Sequence, residues 1–474
     1  MTKYSIVIPT KNRDLYAIEA TRSVLSLDYD DFEIIVHDCS PVDALSDKIE
    51  KIDCLQKVKY FHRPDISSMT ENWNAALNQT SGQYVCVIGD DDAILPDALL
   101  WADFYLGLSS ADVLRCPSAR YKWPDYPYLP RQNTIRFATG TDAKYVDNTI
   151  SVIENAYSYR LRIGTGPGVY RNFVSRQLLE KIKSARGAYI LDIIPDFDSG
   201  YMNLAFGKDL LEIERTLFVS GAGGKSQSGH IRLPQSQSEM YKSFAGDAKI
   251  QAKDVSGIDG VSITSNAATI ISAQLRMKPE IEKVIGRELN FNKEGAIQYL
   301  LDGAVDRHDS SHLQTELEQI GELAEKWSVS MAGVDIKAIK NDPVKFGVTK
   351  SKASADGLVF VMDCDGVGAS TVHDASQLVH SVLPGIGSVM ARAAPKKLEL
   401  IHQSIAQARK KRADAQFSKG QFADAEKTLK SLLKLQPEDV AASALLEKVR
   451  TEMKAHDHFD QANTEPASEH NTES

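Results

Sequence analysis

The first 120 residues alternate short apolar runs with single amphipathic stretches, and that alternation leaves few folds open. Residues 4–8, 32–36, 58–61, 84–88 and 112–116 read as buried strands. Between the first two, helical spacing runs from about residue 13 to residue 27, with Leu15, Ile18, Thr21 and Leu25 on one face. Met69, Trp73, Ala76 and Leu77 recur at helical spacing before the fourth strand, and Pro96 is expected in the first turn of the helix after it. Strands joined through single helices pair in parallel by right-handed crossovers. The predicted fold class is therefore α/β, a Rossmann-like, doubly wound, mainly parallel sheet followed by a mostly helical carboxy-terminal region. Ligands of such sheets bind beyond the carboxyl ends of the strands.

Three strand ends carry polar or acidic segments: Pro9-Thr10-Lys11-Asn12-Arg13 after the first, His37-Asp38-Cys39-Ser40 after the second, and Gly89-Asp90-Asp91-Asp92 after the fourth. Any one Asp or Ser there is most often a helix cap. Three consecutive carboxylates repel one another, and a hard divalent cation with oxygen ligands is their natural neutraliser. Such an ion keeps several waters and bridges to substrate phosphates. In an extended chain Asp90 and Asp92 face the same side.

Composition narrows the function classes. At roughly 150 residues per domain, 474 residues predict about three folded units, and a 42% hydrophobic content excludes a disordered or collagen-like chain. Sixty-four acids against 55 bases leave a net charge of -9, which argues against nucleic acid as a partner. No apolar run approaches the ~18–20 residues of a spanning helix, and the amino terminus lacks the features of a signal peptide. Five scattered cysteines without a Cys-x-x-Cys pair fit a reducing compartment, so the expected location is cytoplasmic, with peripheral contact at the membrane face.

Further along, Tyr121, Trp123, Tyr126 and Tyr128 are interleaved with prolines, offering either a platform for sugar faces or packing against the sheet edge. Residues 169–183 repeat a strand-then-helix pattern, and 196–206 read as a helix. Residues 220–238 are Gly/Ser/Gln-rich and read as a mobile loop, whose Lys225, His230 and Arg232 are candidates for a lid over a diphosphate. Helical periodicity dominates 264–328 and 395–453. Ala413, Phe417, Gly420, Phe422, Ala425, Leu429, Leu432 and Pro437 resemble a single tetratricopeptide helix pair, either a partner-binding module or a plain helical hairpin.

Four pieces in order resemble the family-2 inverting glycosyltransferases over about residues 3–220: Ser5-Ile6-Val7-Ile8-Pro9-Thr10-Lys11-Asn12-Arg13, Asp38-Cys39-Ser40, the helix at Asn72-Trp73-Asn74-Ala75-Ala76-Leu77, and Gly82 to Asp92 with Pro96-Asp97. Gly89 stands where many members carry an Asp, and Cys39 where many carry Gly. The Arg that some place before the helix at Asn72 is absent, with Arg63 nearby. The resemblance implies a nucleotide-sugar-binding GT-A sheet and a metal-dependent transfer from a nucleotide-diphosphate donor, UDP-sugar first, to a hydroxyl of a carbohydrate, lipid-linked or protein acceptor. It gives Pro9, Thr10, Arg13, Asp38 and Asp90 to the nucleotide and Asp91 and Asp92 to Mn2+ or Mg2+. Its base lies at a later helix start, which puts Asp196 first, Asp198 second and Asp192 third within Asp192-Ile193-Ile194-Pro195-Asp196-Phe197-Asp198.

The organisation expected is a catalytic domain at 1–220, a linker at 221–260, a mostly helical domain at 261–394, a tetratricopeptide-like hairpin at 395–455 that offers a surface to a protein partner, and a disordered tail at 456–474. The non-enzymatic alternative is a degenerate transferase-like scaffold carrying that hairpin. A phosphatase-like Asp363-Cys364-Asp365-Gly366 after an apolar run has too few following strands to complete a site. His308 and His312 lack a third zinc ligand and read as solvated.

Overall fold

The computed structural model describes residues 2–53, 56–127, 131–140, 142–146, 148–161, 166–226, 246, 257–263, 265–305, 313–331, 359–383, 385, 403, 405–407 and 409–462. The chain divides into two compact units, Met1–Val389 and Met390–Ser474.

The first unit opens with β1 (Tyr4–Thr10), α1 (Asp14–Leu25), β2 (Phe32–Asp38), α2 (Ser46–Ile52), β3 (Val58–His62), α3 (Met69–Leu77) and β4 (Tyr84–Val87). It continues through β5 (Ala93–Ile94), α4 (Ala98–Ser109), β6 (Val113–Arg115), β7 (Ser118–Lys122), β8 (Thr134–Ala138), β9 (Ala143–Val146), α5 (Thr149–Tyr157), β10 (Asn172–Ser175), α6 (Arg176–Arg186), α7 (Pro195–Phe206), β11 (Leu210–Ile213) and β12 (Phe218–Ala222). A short hairpin of β13 (Gly257–Ile258) and β14 (Val261–Ser262) precedes α8 (Asn266–Ile285), α9 (Lys293–Val305) and α10 (Leu313–Lys326); β15 (Val359–Asp363) and α11 (Val372–Val382) close the unit.

Eight strands form the main sheet in the order β3-β2-β1-β4-β10-β6-β11-β9. The first four run parallel, with Tyr4 opposite both Phe32 and Tyr84. Helices on both faces leave Ile6, Val7 and Ile8 without solvent exposure, as a doubly covered strand requires. Beyond β4 the direction changes: β10 is antiparallel to β4 and to β6, and β9 is antiparallel to β11. The predicted doubly wound GT-A sheet is present, parallel in one half and mixed in the other. Five strands, β15-β8-β7-β12-β5, make a second sheet.

Three local expectations need correction. Leu15 is 72% exposed, because α1 turns Ala17, Ala20 and Val24 inward, and its small residues allow close approach to β1 and β5. Pro96 precedes its helix, since Asp97 is the N-cap of α4. Residues 220–222 of the expected loop are part of β12, paired in register with β7. The apolar run before Asp363 is an antiparallel edge strand beside β8, without the parallel crossover that a phosphatase site uses. His230, Arg232, His308, His312, Tyr128 and Cys54 lie outside the described residues.

The helices after residue 264 are present where periodicity put them. Ile270, Ala273, Met277 and Ile281 of α8 enter the same core as Phe197, Tyr201 and Met202 of α7, while Leu300, Ile320 and Trp327 build a core of their own with α9 and α10. In the second unit, α12 (Phe422–Leu435) and α13 (Val440–Ala462) pack through Ala425, Leu429, Leu432, Leu446 and Val449, with Ala413 from the preceding helical stretch. Gly420 turns the chain at φ 69, where a glycine is unstrained. The last helix passes residue 456, where a polar tail was expected, and continues to Ala462.

Arg186 ties α6 to both helices that flank it in the core, pairing with Asp198 of α7 at 2.8 Å and Glu280 of α8 at 2.7 Å. Both Arg186 and Asp198 are almost fully buried. Removing one partner strands a charge, so Asp198→Ala is expected to cost about 3 kcal/mol in urea unfolding. A change within measurement error would mean that Glu280 alone satisfies Arg186.

Candidate active site

The ends of β1, β2 and β4 converge as the parallel register demands. Thr10 Oγ1 donates to Asp90 Oδ2 at 2.7 Å, and Arg13 Nη1 pairs with Asp90 Oδ1 at 2.5 Å. Burial pushes the Asp90 carboxyl upward, against the pull of Arg13 and Thr10. Arg13 also donates through Nε to the Lys225 carbonyl at 3.0 Å, which brings the chain after β12 over the end of β1. Pro9 sits one residue before Thr10, opposite His37.

Asp38 Oδ1 accepts from the Ser40 amide at 2.8 Å and from the Ser40 hydroxyl. Tyr60 approaches Asp38 Oδ2 at 3.2 Å, yet its single hydroxyl hydrogen has a closer acceptor in Asp43 at 2.7 Å. Oδ2 of Asp38 therefore keeps room for another donor. Asn72 of α3 fastens this corner: its amide nitrogen donates to the Thr10 carbonyl at 3.3 Å, and its oxygen meets His37 Nδ1 at 2.6 Å.

The three aspartates after β4 do not share one focus. Asp92 is fully buried, accepting from the Gly89 amide at 3.0 Å and the Gly221 amide at 2.9 Å, with Arg171 Nη1 at 3.4 Å. The Tyr170 hydroxyl bonds to it as well. Asp90 faces Thr10 and Arg13, whereas Asp92 faces Gly221 and Arg171; the expectation that they point the same way fails because the chain turns at once, Asp92 N bonding to the Gly89 carbonyl at 3.1 Å. Among the described residues no three His, Cys, Asp or Glu side chains gather around a metal position.

Asp91 differs from both neighbours. Its backbone oxygen accepts from Trp123 Nε1 at 3.1 Å, while its side chain takes no hydrogen bond from any other of the described residues. Burial first, then Asp92 and Asp90, push its carboxyl up to about 7 against the pull of Arg13. A nearly buried carboxylate without a donor calls for a cation, and one or two carboxylates completed by substrate phosphates suit Mg2+. The residues present fit a divalent ion held by Asp91, with Asp92 as a structural anchor behind it. Gly89 follows from the same crowding: a Cβ there would lie 3.0 Å from Asp91 Oδ1, 3.0 Å from the Tyr170 hydroxyl and 3.1 Å from Asp92 Oδ2.

The three candidate bases separate clearly. Asp198 is the partner of Arg186 and accepts from the Leu191 and Asp192 amides. Asp192 pairs with Arg276 of α8 at 2.7 Å. Asp196, in the first turn of α7 after Pro195, accepts from the Phe197 amide at 3.1 Å and from no side chain among the described residues, and burial pushes its carboxyl up to about 6. Arg171 is the cation whose field reaches Asp91, Asp92 and Asp196 together.

Arg171 and Tyr170 escaped the sequence reading, and Trp123 and Gly221 were noted there only as parts of an aromatic segment and a loop. Arg171 is a non-glycine residue at φ 55, a conformation uncommon outside glycine and often found at functional positions. No local motif marks it, and only the pairing of β10 with β4 brings it to Asp92. The aromatic segment is not an open platform: Tyr121, Trp123 and Tyr126 are buried, and Trp123 serves Asp91 and packs edge-on against Tyr16 at 4.7 Å.

A Cβ on residue 221 would lie 1.8 Å from the Asp91 carbonyl, so Gly221→Ala is expected to destabilise the protein by roughly 2–3 kcal/mol in denaturant unfolding. An unchanged midpoint would contradict this close approach. Asp91 holds its proton more tightly folded than unfolded, so its contribution to stability falls as pH rises from the ordinary carboxylate value of 3.8 towards about 7. Asp91→Asn should remove that fall and melt higher than the wild type at alkaline pH, read as Tm across a pH series.

The description Glycosyl transferase family 2 matches residues 5–162. A GalNAc(5)-diNAcBac-PP-undecaprenol beta-1,3-glucosyltransferase of Campylobacter jejuni is 34% identical over 103 residues, 21% of this chain. An uncharacterized glycosyltransferase of Rickettsia conorii is 31% identical over 98 residues, also 21% of this chain. The chain spans only 33% of the first relative's length and 16% of the second's. Staphylococcus aureus TarS 1-349, solved in complex with UDP-GlcNAc, aligns over 69% of this chain and 91% of that one at 15% identity and a TM-score of 0.39, a likeness too slight to bear on the assignment. With the four motifs placed in order around one sheet edge, residues 5–162 of this chain are similar to glycosyl transferase family 2.

Proposed function

We propose that the protein transfers a sugar from a nucleotide-diphosphate donor, UDP-sugar first, to an acceptor hydroxyl by single displacement with inversion. The observation that carries this reading is Asp91, a buried carboxylate pushed up to about 7 and without a donor, flanked by a nucleotide-facing corner on one side and by Arg171 on the other. Asp38 Oδ2 has room for the N–H of a uracil base. Thr10 and Arg13 hold Asp90 beside the ribose and diphosphate path. A divalent ion on Asp91, Mn2+ or Mg2+, would supply Lewis-acid neutralisation of the leaving diphosphate.

Asp196 takes the proton of the attacking hydroxyl. An ordinary exposed carboxylate is a weak base; burial raises Asp196 to about 6, nearer the working pH, so its proton affinity is better matched to the task. Arg171 keeps Asp196 ionised above that point, since its charge opposes the burial. Among the described residues no helix is long and apolar enough to cross a membrane. Cys39, Cys86, Cys116 and Cys364 are buried free thiols, which supports a cytoplasmic setting, and an acceptor presented at the membrane face is compatible with it.

Calorimetric titration of UDP with and without Mn2+ tests the donor site. Wild type should bind UDP more tightly with the ion, and Asp91→Ala should lose that increment; metal-independent binding in both would sink the reading. Asp196→Asn is expected to keep donor binding and to lower kcat by about 10²-fold or more. The acid limb of kcat/KM should fall near pH 6, because Asp196 is protonated and inactive below it. A limb near the ordinary carboxylate range, or full turnover in Asp196→Asn, would retire Asp196.

A further inference from the structure

Arg171 and Gly221, the groups that hold Asp92, also line a cavity of about 450 Å3. Its other charged lining residues are Arg115, Arg120 and Lys122, and no carboxylate lines it. Arg115 pairs with Glu212 at 2.5 Å and Arg171 with Asp92 at 3.4 Å, while Lys122 lies over the Tyr126 ring at 4.4 Å. Arg120 has no acidic partner among the described residues, and neither does Arg136, which stands directly opposite it on β8. Both arginines are exposed on one face of the second sheet.

Like charges opposite each other on neighbouring strands destabilise a sheet. Here the arrangement sits beside a cavity already rich in cations, where the hydroxyls of Ser118 and Ser220 also contribute. Guanidinium forks match phosphate oxygens in geometry as well as charge. We propose that this cavity and the adjoining Arg120–Arg136 pair bind a phosphate group carried by the acceptor, beside the hydroxyl that receives the sugar. The assignment to the acceptor rests on the transferase reading above, because Thr10, Arg13 and Asp38, given to the donor, do not line the cavity. It predicts acceptors that are phosphorylated, such as a sugar phosphate or a phosphodiester-linked chain.

The test uses the full chain, with UDP and Mn2+ saturating, and titrates glycerol 3-phosphate as the probe. Arg120→Ala with Arg136→Ala should bind it about tenfold more weakly or worse, and the paired Lys substitutions should retain part of the affinity. Both variants should bind UDP as the wild type does, which guards against misfolding. Arg13→Ala should show the reverse pattern, losing UDP and keeping glycerol 3-phosphate. Equal glycerol 3-phosphate binding by wild type and the double Ala variant overturns the site. A second arm sediments the protein with phosphatidylcholine vesicles containing about 30% phosphatidylglycerol. Arginine-dependent binding to vesicles without binding to glycerol 3-phosphate overturns the acceptor assignment in favour of a lipid surface. If wild type fails to bind UDP while glycerol 3-phosphate still depends on the two arginines, the donor reading falls and the anion site stands.

Discussion

Three carboxylates buried at the end of one strand set the terms for everything around them. Each must be neutralised, hydrogen-bonded or left protonated, because an uncompensated charge in a low-dielectric interior is costly. The fold answers each one differently. Asp90 receives Arg13 and Thr10 from β1; Asp92 receives two backbone amides, Tyr170 and Arg171 from the far half of the sheet. Asp91 is left between them without a donor, and its raised proton affinity is the signature of that position. The site's chemistry is thus what remains after two of the three charges have been given structural work.

That division explains why the sheet changes character after β4. The antiparallel return of β10 sets Arg171 against Asp92, and β12 threads Gly221 beneath the Asp91 carbonyl. The helix that presents Asp196 is held in turn by α8. Gln274 donates to the Tyr201 hydroxyl at 2.6 Å, and Arg276 takes Asp192 out of contention as a base. Residues past 264 therefore steady the helix that carries Asp196 through packing, a role for which their own sequence has no motif.

Much of this was legible from residue order. Alternating apolar runs fixed the parallel half of the sheet, the spacing of α3 agreed with its buried Trp73, Ala76 and Leu77, and Asp38, Asp90 and Asp91 stood at strand ends as expected. Periodicity was weaker for α1, where Leu15 points to solvent because packing favoured the small residues Ala17 and Ala20. Residue order ranked Asp196 ahead of Asp198 by position alone, and nothing local marked Asp198 as the partner of the buried Arg186. Of the two readings of the aromatic segment, sugar platform or packing, the buried Tyr121 and Trp123 match packing.

By itself the sequence determined the secondary-structure order, the parallel strands and the edge where acids collect, because period, turn chemistry and crossover handedness are local rules. Tertiary structure alone decided which acids are left without a cation partner and which cations stand nearby. Those outcomes depend on pairings between residues some 80 to 130 positions apart, such as Arg171 with Asp92 and Gly221 with Asp92, and charge burial is a property of the assembled neighbourhood.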